Sequence, residues 1–258
     1  MHATVNRYDT SGNLQWTMDG LGDVRHFDYD ANGKVTREIA YATRIDAGAE
    51  PSSVTASGDD RVTTFAYDAA GRLSYTVDPT GSVTHTVYDK FGNAVESIVF
   101  ATRIAAPSAS GTPPTAAQLA QAVQASSSDR VTWAVYDTAG HQLYAVDAAG
   151  DVTATVYDKD GNAVAITQLA TPITVTRITD ASASPQTVAQ AVAAAVGSQV
   201  SADPAHDRTS LAVYDGAGRV TKSTLYKLPV AGLAVGTDAA AIEAALGSGA
   251  QSVSTSLT

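Results

Sequence analysis

The 258-residue sequence has no cysteine, which excludes disulfide bonds and thiolate metal sites. Charged residues make up only 16% of the chain and aromatic residues 7%. No run of eighteen apolar residues occurs, and the opening "MHATVNRYD" has neither the basic start nor the apolar centre of a signal peptide. We therefore expect no membrane insertion and no signal peptide in this segment.

Positive charge is also scarce. The 16 Lys and Arg residues stand against 26 Asp and Glu residues, which gives a net charge of −10. Ten of these acidic residues begin an Asp-x-x-Gly unit, and without them the two signs would balance at 16 each. Because a basic stripe that could neutralise phosphates is missing, nucleic acid is not an expected partner.

The abundant feature is the Asp-x-x-Gly unit itself, which recurs at spacings of ten or eleven residues within three triplets and begins a fourth. The aspartate of such a unit accepts hydrogen bonds from N–H groups inside a turn, and the glycine adopts a left-handed conformation. Between two strands, this chemistry predicts a β-hairpin turn followed by a glycine bulge. We therefore expect positive φ angles at Gly71, Gly81 and Gly92.

Tyrosine precedes aspartate in seven of the ten turns, which we call the Tyr-Asp turns. They comprise Tyr8, Asp9, Gly12; Tyr29, Asp30, Gly33; Tyr67, Asp68, Gly71; Tyr88, Asp89, Gly92; Tyr136, Asp137, Gly140; Tyr157, Asp158, Gly161; and Tyr214, Asp215, Gly218. The three turns without tyrosine, which we call bare turns, begin at Asp19, Asp78 and Asp147. Since consecutive turns of a meander lie at opposite edges of the sheet, all Tyr-Asp turns should share one edge.

The segments between turns alternate apolar and polar residues, as in "LQWTM" and "LSYTV". This period of two is typical of strands with one buried face. We predict a mainly β fold of repeated antiparallel hairpins in a curved or spiralling meander sheet. The third copy departs from the pattern, because Gln142 stands where leucine is expected and Leu143 follows one place late.

Three insertions interrupt the array at roughly residues 46–59, 105–128 and 174–206, each in place of a bare turn. We expect them to project from the edge opposite the Tyr-Asp turns, with short α-helices on that edge. We therefore predict that the whole chain, 1–258, is a single array and a fragment of a longer protein. Its modules are expected at approximately 1–59, 60–128, 129–206 and 207–258.

Helix signals occur in the second and third insertions and near the C-terminus. Thr115 is the predicted N-cap of a short helix with Leu119 and Val123 on one side. In the third insertion Ser184 caps a helix that stops at Gly197. A further helix is predicted from Thr237 to Gly247.

Catalytic, cofactor and metal sites are not predicted. The five histidines have neither metal nor triad spacing, and His26 and His85 occupy equivalent repeat positions, which favours a structural role. "DKDGN" lacks the glycine and glutamate positions of an EF-hand loop. A glycosidase would need a pair of carboxylates outside the turns, and none stands out.

Trp16, Tyr75 and Tyr144 form an aromatic row at matching repeat positions. Such a row can stack on sugar rings, so these residues are candidate carbohydrate contacts. They also share a face with Leu14 and Leu73, which favours a place in the core. Both interpretations stay open at this stage.

The units "YDAAGRL", "YDANGKV", "YDTSGNL" and "YDGAGRV" resemble the YD repeat of the Rhs family, related to repeats of the bacterial Tc toxin C component and of animal teneurins. The resemblance implies a sheet of hairpins that spirals into a hollow shell, encloses a toxic polypeptide in toxin members and serves adhesion in teneurins. It also implies a non-enzymatic protein. The autoproteolytic segment of many Rhs members is absent from this sequence.

We therefore expect a structural wall segment of a large secreted or surface-displayed bacterial protein. Its partners would be neighbouring repeats of the parent protein and an enclosed polypeptide or a surface glycan. The alternative is a carbohydrate-binding or cell-surface adhesion module. An array has open strand edges, so we also expect the chain either to self-associate through its N-terminal edge or to fold its own tail over an edge.

Overall fold

The computed structural model describes residues 4–175, 185–199, 206–226 and 252–256. These residues form fifteen β-strands, two α-helices and one short 3₁₀ turn, Pro51–Ser53. The strands are β1 Val5–Tyr8, β2 Leu14–Met18, β3 Val24–Tyr29, β4 Val35–Ala40, β5 Arg61–Tyr67, β6 Leu73–Val77, β7 Val83–Tyr88, β8 Ala94–Val99, β9 Arg130–Tyr136, β10 Gln142–Val146, β11 Val152–Tyr157, β12 Ala163–Leu169, β13 Arg208–Tyr214, β14 Val220–Tyr226 and β15 Ser252–Ser256. The helices are α1 Ala116–Ala122 and α2 Pro185–Gln199. The predicted mainly β fold is confirmed.

Strand pairing follows chain order, from β1 at one end of the sheet to β15 at the other. Neighbouring strands run antiparallel, as in β2 with β3 and β4 with β5. Contacts divide the chain into unit 1, Met1–Thr86 with Ile98–Arg130, and unit 2, Val87–Ser97 with Val131–Thr258. The four predicted modules stay a prediction.

The core of unit 1 lies on one face of its strands. Register pairs Met18 with Val24, and Ile39 with Val62, so these four side chains share that face. Each is 3% exposed or less. Alternation along a strand is therefore the physical origin of the buried face, as the period of two predicts.

Helix α1 begins at its predicted cap. The Thr115 hydroxyl accepts the N–H of Gln118 at 3.3 Å, and the Gln118 amide oxygen accepts the N–H of Thr115 at 2.8 Å, which completes a capping box. Leu119 is 2% exposed, and α1 contacts β6. Val123 follows the helix as its C-cap instead of extending the apolar stripe.

Helix α2 belongs to the core of unit 2. Val192 and Val196 are 1% and 2% exposed and form one cluster with Val146, Val152 and Ile173. The predicted stop at Gly197 is wrong, because α2 continues to Gln199 and Gly197 does not adopt a positive φ. The predicted cap Ser184 and the predicted helix from Thr237 to Gly247 lie outside the described residues.

The C-terminal strand covers one edge of the sheet. β15 pairs with β14, with Lys222 opposite Ser256 and Tyr226 opposite Ser252. This confirms one of the two expected outcomes, a tail folded over an edge; self-association through the N-terminal edge stays a prediction. Neither described helix is long and apolar enough to cross a membrane.

Candidate functional site: repeat turns and insertion bases

All ten Asp-x-x-Gly units form the same turn. In the turn at Asp68, the Asp68 N–H donates to the Arg72 carbonyl at 2.9 Å and the Gly71 N–H donates to the Asp68 carbonyl at 2.8 Å. The ten turn glycines have φ angles between 73° and 96°. The predicted positive φ at Gly71, Gly81 and Gly92 is confirmed, and the turn is the predicted glycine-bulge type.

The aspartate carboxylate organises each turn. Its Oδ1 atom accepts the N–H groups two and four residues ahead, as Asp9 does from Ser11 and Asn13, both at 2.8 Å. In six Tyr-Asp turns its Oδ2 atom also accepts the side chain four residues ahead, from Asn13, Arg72, Asn93, His141, Asn162 and Arg219. Hydrogen bonding by Asn13 accordingly lowers the pKa of Asp9 below its usual range.

A β-bulge distinguishes the Tyr-Asp turns from the bare turns. After Asp68, Leu73 pairs with Tyr67 and Tyr75 with Ala66, which leaves Ser74 without a cross-strand partner. The same register shift occurs beside Tyr8, Tyr29, Tyr136, Tyr157 and Tyr214. The hairpins of the bare turns have no such shift.

The bulge also resolves the irregular third copy. Gln142 pairs with Tyr136 and Tyr144 pairs with Val135, so Leu143 is the bulged residue, as Ser74 is in the second copy. Gln142 therefore occupies the place of Leu73, and the register has not slipped. The departure is a substitution at one position.

The tyrosine of a Tyr-Asp turn bonds to the preceding Tyr-Asp turn along the same edge. The Tyr29 hydroxyl donates to the Leu14 carbonyl at 2.6 Å, and the Tyr67 hydroxyl donates to the Val35 carbonyl at 2.8 Å. In unit 2, Tyr157 and Tyr214 make the same bond to Gln142 and Ala163, at 3.2 and 3.1 Å. Each acceptor is the fifth residue after the preceding aspartate, where the register shifts.

Sequence reasoning missed this bond, although a signal was present. Tyrosine precedes aspartate only at turns that carry the bulge, and the hydroxyl satisfies a carbonyl at the irregular position. The turns of Tyr29, Tyr67, Tyr157 and Tyr214 are thereby tied to their predecessors.

We expect Tyr67→Phe to lower the free energy of unfolding by about 1 kcal/mol, because the Val35 carbonyl loses its donor while the ring still packs. Tyr8→Phe is the matched control, since Tyr8 is 60% exposed and its hydroxyl has no partner among the described residues. Urea unfolding of both variants checks the prediction. Equal stability of the two variants would contradict it.

Each insertion starts on the glycine of the neighbouring bare turn. The Ile45 N–H donates to the Gly22 carbonyl at 3.1 Å, and the Ile104 N–H donates to the Gly81 carbonyl at 3.0 Å. In unit 2 the Ile173 N–H donates to the Gly150 carbonyl at 2.9 Å. The insertions therefore attach at the edge of the bare turns, which confirms the predicted edge of attachment.

One aspartate closes the base of each insertion. Asp60 accepts the N–H of Ala42 at 2.9 Å on Oδ1 and the N–H of Ser57 at 2.8 Å on Oδ2, so its carboxylate holds both ends of the loop. Asp129 accepts the N–H groups of Ala101 and Ser126 in the same way, at 2.8 and 3.0 Å. Each of these aspartates directly precedes the strand that returns from its insertion, β5 or β9, but no pattern in the sequence indicated this role.

The second insertion does not stay at the edge where it begins. The Arg37 guanidinium, which is paired with Asp28, donates to the carbonyls of Ser108 and Gly111 at 3.1 and 3.0 Å. Residues 112–116 then line a cavity of about 440 Å³ together with Tyr29 and Tyr67, which belong to Tyr-Asp turns. The prediction that all of 105–128 projects from the opposite edge is therefore wrong for 108–116, because Arg37 draws this segment back across the sheet.

The aromatic row lies in cross-strand stacks. The rings of Trp16 and His26 are 4.0 Å apart, and those of Tyr75 and His85 are 4.1 Å apart. In the third copy Tyr144 faces Ala154. The two histidines are thus equivalent stacking partners, as their repeat positions indicated. Because Tyr75 is only 7% exposed, little of its ring is free for a sugar, and the carbohydrate contact stays a prediction.

His26 should make stability depend on pH. Burial lowers the pKa of His26, nearby Asp28 partly restores it, and Arg37 lowers it further. Since the folded pKa is below the unfolded value, the unfolded chain takes up the proton first. The free energy of unfolding should therefore fall as pH drops through the unfolded value toward the folded pKa.

Urea unfolding at about pH 7.5 and about pH 5.5 tests this, on either side of the ordinary histidine pKa. His26→Phe keeps a ring against Trp16 and should show a smaller loss of stability between the two pH values than the wild type. An identical loss in both proteins would contradict the prediction.

Comparison with known proteins gives one family match, to the RHS Repeat model at residues 47–83. None of the curated proteins matches the chain. Similar solved structures are described as TcdB2-TccC3-Cdc42, at 11% identity and a TM-score of 0.47, and TcdB2-TccC3, at 13% identity and a TM-score of 0.48. Each likeness covers 86% of this chain and 10% of the other, so the chain spans about a tenth of their length. The chain thus contains YD repeats of the Rhs type: the RHS Repeat match covers residues 47–83, and Tyr-Asp turns recur on either side of it.

Proposed function

We propose that these repeats form part of the wall of an Rhs-like β-shell, a scaffold that encloses or delivers a toxic polypeptide. The wall would belong to a longer array in a large bacterial protein that is secreted or displayed at the surface. The established part of this proposal is the structural repeat segment; the enclosed polypeptide is the inferred part.

The observation that carries the proposal is the tie between consecutive repeats. A wall must continue from hairpin to hairpin without a break, and the hydroxyls of Tyr29 and Tyr67 join their Tyr-Asp turns to the preceding ones. The insertions do not interrupt the sheet either, because Asp60 and Asp129 each hold the two ends of one insertion next to it. Long insertions can then extend the chain without breaking the strand order.

The face opposite the core of unit 1 also supports a wall. Register places Thr63 beside Glu38, and Thr76 beside Phe65 and Thr84, on that face. Its charges include Arg25 and Glu38, which form an ion pair with each other. Apart from the half-buried ring of Phe65, these side chains are hydroxyls and an ion pair, which would make few strong contacts with an enclosed unfolded chain and so suit storage more than tight binding.

A catalytic role has no support from the described residues. Among them no group of three or more His, Asp or Glu side chains has the arrangement needed to hold a metal ion. The ten turn aspartates, with Asp60 and Asp129, accept N–H groups in turns and insertion bases, and Asp23, Asp28 and Asp160 are paired with basic side chains. The chemistry of these carboxylates is structural.

Protease protection of the full-length polypeptide that contains this array tests the proposal. Under native conditions the enclosed segment should survive thermolysin, and it should be cleaved once the array is unfolded by urea. An Asp59→Ala version, changed at an exposed residue, serves as a control with an unperturbed array. Cleavage of the segment at the same rate with the array folded and unfolded would contradict enclosure.

A further inference from the structure

Two Tyr-Asp turns of unit 2 and helix α2 border a cavity of about 510 Å³. The first turn contributes Asp89 and Phe91 to its lining, and the second contributes Tyr136 and Asp137. Helix α2 adds Gln190 from the third insertion. A cavity of this volume is typical of sites that bind small molecules.

Tyr136 stands in the position from which other tyrosines bond to the preceding Tyr-Asp turn. Tyr157 and Tyr214 make that bond within unit 2. The Tyr136 hydroxyl, by contrast, has no hydrogen-bond partner in the described part of the chain. Its ring is half-buried and packs against the core cluster of unit 2. The side chain is therefore held by ring packing, and its ring and hydroxyl are available to a ligand in the cavity.

Phe91 is the second aromatic residue of the cavity, and it is 64% exposed. The ammonium group of Lys90 lies 4.8 Å from the centroid of its ring. A cation at this distance is attracted by the negative face of the ring. The Phe91 ring therefore already interacts with one cation, which comes from a residue outside the cavity lining.

The two aspartates of the cavity are charged although their oxygens are occupied. Asp89 accepts the N–H of Phe91 at 2.8 Å and that of Asn93 at 2.9 Å. Asp137 accepts the backbone N–H of His141 at 2.8 Å and contacts its ring nitrogen at 2.9 Å. The pKa of both carboxyls is lowered: burial, the largest influence, raises it, but the hydrogen bonds outweigh burial. Both carboxylates are thus charged at neutral pH, and the residues that line the cavity include neither lysine nor arginine.

The cavity of unit 1 that lies between two Tyr-Asp turns and the second insertion differs in charge. It is lined by Asp30 and Asp68 but also by Lys34, whose ammonium group donates to the Gly71 carbonyl. A cation in that cavity would meet a positive charge as well as two negative ones. The lining of the unit 2 cavity offers a cation two negative charges and two aromatic rings.

We propose that the cavity of unit 2 binds a small quaternary ammonium ion between the rings of Phe91 and Tyr136 and the carboxylates of Asp89 and Asp137. Such an ion has no hydrogen to donate, so carboxylates whose oxygens already accept N–H groups still attract it through their charge. A primary amine would instead need acceptors that are already in use. This site goes beyond the proposed role as a wall segment and does not depend on an enclosed polypeptide.

Choline is the probe, and its control is the neutral alcohol in which carbon replaces the nitrogen. Both are titrated into the isotope-labelled protein and followed by nuclear magnetic resonance. Choline should shift the amide signals of Phe91 and Thr138, at the two turns, and should bind at least about tenfold more tightly than the alcohol. The amide signals of Asn32 and Ala69, at the unit 1 cavity, should not move.

Exposed residues supply the variants, so the fold should survive each change. Phe91→Leu keeps an apolar side chain without a ring and should weaken choline binding at least about threefold, whereas Phe91→Tyr keeps the ring and should bind as the wild type does. Lys90→Ala removes the cation that competes for the ring and should strengthen binding. Asp59→Ala, which removes a negative charge in unit 1, is the control and should leave binding unchanged.

Equal affinity for choline and the neutral alcohol would overturn the proposal, as would choline binding to Phe91→Leu with wild-type affinity. The proposal would also fail if choline shifted no signal at the two turns. Loss of protection in the protease experiment would refute enclosure and leave this site standing, so the two proposals fail separately.

Discussion

Gly81→Ala is expected to destabilise the protein by about 3 kcal/mol or more, because two separate costs coincide at this residue. The φ angle of Gly81 is 80°, a backbone conformation that residues other than glycine rarely adopt. A β-carbon placed there would also lie 2.1 Å from the carbonyl oxygen of Ile104, at the start of the second insertion. That oxygen belongs to the backbone, so relief requires the insertion base to move.

Gly92→Ala is the matched control. Its φ angle is 96°, and a β-carbon there would have no atom within 4 Å. Only the conformational cost of about 1–2 kcal/mol should remain. The contrast should recur between Gly22, where a β-carbon would lie 2.0 Å from the Ile45 carbonyl oxygen, and Gly12, where it would have no atom within 4 Å. Urea titrations that give Gly81→Ala and Gly92→Ala the same free energy of unfolding would refute the insertion base as a tight contact.

Asp60→Ala should lower the free energy of unfolding by about 1–3 kcal/mol, since hydrogen bonds to a charged acceptor are stronger than those between neutral groups. The lost bonds are those from Ala42 at 2.9 Å and from Ser57, N–H at 2.8 Å and hydroxyl at 3.0 Å. Asp60→Asn keeps an acceptor and should recover part of the loss. Urea unfolding gives the free energies, and hydrogen exchange at Ala42 localises the effect.

The neighbouring Asp59 supplies the control. It has the same charge and is exposed, and Asp59→Ala should change stability by less than about 0.5 kcal/mol. The pKa of Asp60 is lowered overall: burial, the largest influence, raises it, but the bonds from Ala42 and Ser57 outweigh burial. The stabilisation by Asp60 should therefore be present above the unfolded aspartate pKa and be lost as pH falls through the lower folded value. Equal stability of Asp60→Ala and Asp59→Ala at neutral pH would contradict the role of Asp60 in holding the insertion base.

The turns were predictable because their causes are local. Asp68 accepts the Arg72 N–H and Gly71 adopts the left-handed conformation, all within five residues. A short stretch of sequence is therefore enough to predict the turn. The strand order followed from the spacing of the turns, and the cap at Thr115 from a threonine directly before a helical segment. In each case one residue type meets a requirement set by its immediate neighbours.

The errors arose where distant residues decide. Gly197 looked like a stop, yet Val192 and Val196 pack into the core of unit 2 and α2 continues past it. Residues 108–111 were expected beyond the opposite edge, but Arg37, more than seventy residues earlier, holds their carbonyls. Neither partner is visible in a local pattern.

By itself, the sequence determined that this protein is a meander of hairpins with two kinds of turn, because turn chemistry and strand alternation are short-range. Only the tertiary structure decided what makes the two kinds different. The hydroxyl of Tyr67 needs the carbonyl of Val35, beside the bulge, and the glycine of a bare turn, such as Gly81, needs the N–H of Ile104 or its equivalent in another insertion. These bonds join residues more than twenty positions apart, so they form only when the sheet brings neighbouring hairpins side by side.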